Sequence, residues 1–83
     1  MNDNNNDELL KQVQKLFKQA MGNNVEVGIN TDKDSVFDWD SINHLNLIVE
    51  MENEFELGLS MEEIENLLSV KQIIRLINDK RKK

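Results

Sequence analysis

The sequence contains no cysteine, so no disulfide and no thiol nucleophile belongs to the polypeptide itself. It has a single histidine, and without cysteine this leaves no ligand set for a zinc site. No apolar run approaches the roughly 20 residues needed to cross a bilayer. The opening MNDNNND is polar and acidic, the opposite of a secretory leader. Bases are scarce in the middle of the chain, where Lys33 alone stands against eleven acids between Asp32 and Glu65. Such a segment repels phosphate backbones, which argues against a nucleic-acid partner. These absences together predict a cytoplasmic protein that binds no metal, no membrane and no nucleic acid.

What is present fits one small domain. The 83 residues leave room for a single core, and a chain this short buries only about 60% of the surface its unfolded form exposes. A deep catalytic pocket is not expected in so thin a structure. The net charge is −6, and the bases gather at the end, with six from Lys71 onward against Asp79. The acidic middle should attract basic protein surfaces and speed encounter with them. The plainer alternative is a solvated face that only aids solubility.

The pattern along the chain predicts four helices. Residues 1–6, rich in Asn, are expected to form a disordered tail, leaving 7–83 as the domain. A first helix over 7–21 carries Leu9, Leu10, Val13, Leu16, Phe17, Ala20 and Met21 at helical spacing, with Gly22 placed to cap its end. From residue 22 to 40 no helical period exists. Val25, Val27 and Ile29 alternate but have no second strand to pair with, so a long loop is expected, its apolar residues lying over the helices with Phe37 and Trp39. A second helix follows over 41–55. Ser60 with Glu63 and Ser69 with Gln72 form two capping boxes, each flanked by a hydrophobic pair, Leu59 with Ile64 and Leu68 with Ile73. They mark a short helix over 61–67 and a last one over 70–80. The fold class is therefore all-α, a four-helix bundle with a short third helix and a long first loop.

The second helix has two apolar arcs. Leu47, Ile48, Met51 and Phe55 share one, and Ile42, Leu45 and Val49 share another about a third of a turn away. One arc seats a helix in a small bundle. The other is either covered by the long loop or exposed as an apolar patch ringed by acids such as Glu52 and Glu56.

Ser41 stands where the loop ends and this helix begins, directly after Asp40. Taken alone, an Asp-Ser pair in this place is a helix cap. Asp34-Ser35-Val36 has the same form and precedes no predicted helix. The wider frame carries more. The run from Asp38 through Trp39, Asp40, Ser41, Ile42, Asn43, His44 and Leu45 leads into Leu47-Ile48-Val49-Glu50-Met51-Glu52-Asn53-Glu54-Phe55. This frame resembles the acyl carrier proteins, whose Asp-Ser-Leu motif opens an acidic second helix ending near a core phenylalanine. The resemblance extends from residue 7 to residue 80 and includes the long loop, the short third helix and the acidic balance.

The resemblance implies a carrier and not an enzyme. It implies a 4′-phosphopantetheine arm attached covalently to Ser41 by a phosphopantetheinyl transferase, with Asp40 as the motif aspartate that the transferase and its metal meet. It further implies a monomer that presents thioester-bound acyl groups to acyl-loading, acyl-transfer or synthase enzymes with basic surfaces. Ile42, Asn43, Leu45, Asn46, Val49, Glu52 and Asn53 are then the partner-binding residues. Ile42 replaces the usual leucine, and Asn43, Asn46 and Asn53 stand where acids are usual. These departures point to a specialised lipid or secondary-metabolite pathway in place of general fatty-acid synthesis. A general fatty-acid-synthesis carrier is one alternative, and an aminoacyl or peptidyl carrier is another, although Trp39-Asp40 replaces the glycines usual there. A different class, an unmodified acidic helical adaptor, would use the same face only to bind proteins.

Two other constellations fail on their chemistry. Asn30, Asp32, Asp34, Val36 and Asp38 have EF-hand-like intervals, but Ser35 and Ser41 occupy the positions that require Gly and a bidentate Glu. His44, three residues after Ser41, has no oxyanion-hole motif and no orienting third group. It is expected on the helix surface or partly covered.

Overall fold

The computed structural model describes the backbone of residues 2–81 and the side chains of residues 7–81. Among the described residues there are four α-helices, α1 (Asn2–Met21), α2 (Ser41–Phe55), α3 (Met61–Glu65) and α4 (Val70–Arg81), with a 3-10 turn at Lys33–Ser35 between the first two. α1 packs against both α2 and α4. Its backbone is helical from Asn2, ahead of the start predicted at Asp7. The side chains of residues 2–6 lie outside the described residues, and so does the tail character expected for residues 1–6.

The predicted stripe of α1 forms one wall of the core. Leu9, Val13, Leu16 and Phe17 are buried, and Leu10, Ala20 and Met21 pack at its edge. Gly22 ends the helix at φ 112°, and its N–H donates to the Lys18 carbonyl at 2.9 Å. That left-handed conformation is cheap only for glycine.

The loop follows without a strand partner, yet its backbone is not left unsatisfied. The Gln14 amide donates to the Val27 carbonyl at 2.8 Å, and the Lys18 ammonium donates to the carbonyls of Asn23 and Val25 at 3.1 and 3.2 Å. The polar edge of α1 thus does the work of a neighbouring strand, and Val25 and Val27 turn into the core. Further on, the Lys33 N–H donates to the Leu68 carbonyl at 2.8 Å and the Val70 N–H donates to the Thr31 carbonyl at 2.9 Å. This isolated bridge pins the middle of the loop to the start of α4. The loop covers less than its composition predicts. Trp39 is buried, but Phe37 is 97% exposed and Ile29 lies largely on the surface.

Both predicted caps form, in different ways. The Glu63 N–H donates to Ser60 Oγ at 3.1 Å while the Ser60 N–H donates to Glu63 Oε1 at 2.9 Å, a complete box. The Gln72 N–H donates to Ser69 Oγ at 3.2 Å, but Gln72 Oε1 accepts from the Leu68 N–H at 2.8 Å and not from that of Ser69. Leu68 stays half exposed while Ile73 is buried. α3 ends at Glu65, two residues short of the predicted 67, because the Asn66 N–H is shared by the carbonyls of Glu62 and Glu63 and the chain tightens so that Leu67 can enter the core.

Candidate functional site

The start of α2 is built by Asp40. Its backbone is extended, at φ −97° and ψ −173°, and Asp40 Oδ1 accepts from the Asn43 N–H at 2.9 Å. The cap therefore belongs to Asp40, and Ser41 is the first helical residue, exposed to solvent. Free backbone N–H groups and the positive end of the helix macrodipole surround that position. An anion attached to Ser41 Oγ would be tolerated there. The rival Ser35 sits differently: it lies in the 3-10 turn and its Oγ donates to the Asp32 carbonyl at 2.8 Å.

The two arcs of α2 separate cleanly. Leu47, Ile48 and Met51 are buried. Ile42, Leu45 and Val49 are 73%, 55% and 53% exposed, so the loop does not cover them. Phe55, expected in the core, is only half-buried at its edge, with the Arg81 guanidinium 5.8 Å above its ring.

The polar residues predicted to meet partners are partly engaged within the chain. Asn43 Nδ2 donates to the Asp38 carbonyl at 2.8 Å, and Asn46 Nδ2 donates to Asn43 Oδ1 at 3.2 Å. Glu52 is half-buried, and its Oε2 accepts from the Leu59 N–H at 3.1 Å, closing the turn between α2 and α3. Asn53 is exposed. Glu63, at the start of α3, is held below the ordinary carboxylate range first by the Ser60 backbone N–H and then by the Lys80 ammonium, 3.0 Å away. Among the described residues, no three His, Asp or Glu side chains converge to hold a metal ion.

His44 departs from expectation. It is buried in the core, 8% exposed, and not a surface histidine. The Trp39 indole N–H donates to His44 Nδ1 at 2.8 Å, and His44 Nε2 lies 2.8 Å from the Ile64 carbonyl. The Trp39 ring also meets Phe17 of α1 edge-on at 4.8 Å. The pairing of Trp39 with His44 spans only five residues, and an aromatic donor beside a lone imidazole was the available signal. The third partner, twenty residues on, leaves none.

No protein-family model matches the chain, and no curated protein sequence does. Among solved structures, it is similar to the solution NMR structure of the holo acyl carrier protein from Geobacter metallireducens, at 24% identity over 88% of this chain and 85% of that one, with a TM-score of 0.77. The likeness establishes that the chain adopts the acyl carrier protein fold.

Proposed function

We propose that this chain is an acyl carrier protein that bears 4′-phosphopantetheine on Ser41 and is itself no enzyme. The observation that carries this reading is the exposed Ser41 at the first position of α2, with the helix cap supplied by Asp40. The hydroxyl is thereby spared for modification in a fold shared with a holo acyl carrier protein. When bound, the arm supplies the thiol that the cysteine-free chain lacks and holds acyl groups as thioesters. The chain's own part is attachment and presentation.

The surface next to Ser41 supports partner enzymes with mixed apolar and basic faces. Ile42, Leu45 and Val49 stay exposed along α2, and Glu50, Glu54 and Glu56 add acid to the same helix and its end. Charged rims chiefly set encounter rate and partner choice. Asn43, Asn46 and Asn53 replace charge with amides, which favours a dedicated pathway over general fatty-acid synthesis. The chain acts in this reading as a cytoplasmic monomer. Incubation with a phosphopantetheinyl transferase, magnesium and coenzyme A should raise the intact mass by one phosphopantetheinyl group. An unchanged mass would favour the unmodified adaptor.

A further inference from the structure

The core holds one histidine, and its surroundings fix its protonation. An indole N–H can only donate, so the bond from Trp39 makes His44 Nδ1 an acceptor. A carbonyl can only accept, so the contact with Ile64 places the proton on Nε2. Both partners demand the same neutral tautomer. His44 thereby joins three segments: the loop end at Trp39, α2 through its own backbone, and the last turn of α3 at Ile64. Its backbone N–H also donates to the Asp40 carbonyl at 2.8 Å, within the turn that carries Ser41.

We propose that His44 is a positioning residue for Ser41, one whose neutral form holds Trp39 and the end of α3 to α2 and whose protonated form releases Trp39. A proton on Nδ1 would set two donors against each other at 2.8 Å, so proton uptake and the Trp39 bond exclude one another. The bond to Ile64 survives, because Nε2–H is present in both forms. Release therefore acts on one side only, on the loop end two residues before Ser41. What remains there is the outer clamp from Asn43 to the Asp38 carbonyl.

Among the described residues, the ring is hydrogen-bonded by Trp39 and the Ile64 carbonyl and by no charged side chain of the neighbouring elements. Asp38 and Asp40 lie on the loop, Glu63 and Glu65 flank Ile64 on α3, Lys18 follows Phe17 on α1, and Lys80 approaches α3 from α4. Of these, Lys18 is taken up by the carbonyls of Asn23 and Val25, and Glu63 by Ser60 and Lys80. The device therefore opens on proton uptake at Nδ1 and closes when that proton leaves. A lost bond of this kind shifts an equilibrium by roughly fivefold.

This inference rests on the reading of Ser41 as the attachment site, and the experiment keeps the two apart. The whole chain, labelled with 15N and without the arm, is followed from about pH 8 to about pH 5 through its single indole N–H and its imidazole nitrogens. Wild type should show the Nε2–H tautomer at high pH and a roughly fivefold faster indole exchange at low pH, beyond the ordinary pH trend set by a reference indole. His44→Gln keeps an acceptor and a donor but cannot titrate, and its exchange should follow the reference. In parallel, the rate of phosphopantetheine transfer is compared between wild type and His44→Gln at each pH with one transferase, so that the enzyme's own profile cancels. The ratio should fall on acidification, and Trp39→Phe, which has no indole donor, should lack this step if the Gln variant does not fold. A proton on Nδ1 at high pH, or the same indole response in the Gln variant, would overturn the proposal. So would a flat rate ratio beside a responsive indole, which would leave His44 a structural residue only. Absence of transfer at every pH would overturn the reading of Ser41, while the indole arm would still decide the device.

Discussion

Asn43 donates its side-chain amide to the main-chain carbonyl of Asp38 at 2.8 Å while its own backbone N–H donates to the Asp40 carboxylate at 2.9 Å. One residue thus closes the turn before Ser41 from both its side chain and its backbone. A carboxylate at this position would have no proton to give. Asn43→Asp should lower the unfolding free energy by about 0.5–1.5 kcal/mol, the usual net worth of such a bond. Asn46→Glu, which removes only an exposed 3.2 Å contact, should stay within about 0.5 kcal/mol of wild type. Urea denaturation followed by circular dichroism measures both. Equal stabilities for the two variants would show that the clamp does not hold the turn.

Apolar side chains of α1 and of the two arcs of α2 should answer truncation according to their burial. Phe17 is fully buried against Trp39, and Phe17→Ala should cost about 3–5 kcal/mol, enough to unfold much of a small domain. Phe55 is half-buried with Arg81 over its ring, so Phe55→Ala should cost less, about 1–2 kcal/mol. Val49→Ala, on the exposed arc, should change stability by less than about 0.5 kcal/mol and weaken partner binding. A large stability loss at Val49, measured in the same denaturation series, would contradict the exposed arc.

Acid should loosen α3. The folded-state pKa of Glu63 is lowered by the Ser60 N–H and the Lys80 ammonium. A lowered carboxylate stabilises the fold fully above its ordinary pKa, and that stability is lost as pH falls through the folded value. Hydrogen exchange at the first amides of α3 should therefore quicken below the ordinary carboxylate range, beyond the intrinsic pH trend. Glu63→Gln should show no such step, and added salt should weaken it in wild type, because the pair with Lys80 is only partly shielded from solvent.

The sequence made the helices legible because their ends are marked locally. Asp40, Ser60 and Ser69 each bind a backbone N–H three residues on, so α2, α3 and α4 start where the pattern predicts. The loop was harder. Phe37 and Trp39 are both aromatic, apolar and two residues apart, yet one is exposed and the other buried. What separates them is Phe17 and His44, which only the folded chain brings to Trp39. Glu52 reads as a surface acid in a helix, and its bond to the Leu59 N–H depends on a turn that follows the helix. The candidate site at Asp40 and Ser41 was legible for the opposite reason, since cap and first helical residue are neighbours in sequence.

The central claim concerns one hydroxyl. Ser41 is the first residue of α2 and is exposed, whereas Ser35 in the look-alike triplet already donates to the Asp32 carbonyl within a 3-10 turn. The decisive measurement is tandem mass spectrometry of the chain after reaction with transferase and coenzyme A, on wild type, Ser41→Ala and Ser35→Ala. The account predicts one phosphopantetheinyl group on wild type and on Ser35→Ala, fragment ions that place it at Ser41, and none on Ser41→Ala, whose circular dichroism is unchanged. A modified Ser41→Ala chain, or fragments that place the group at Ser35, would contradict it.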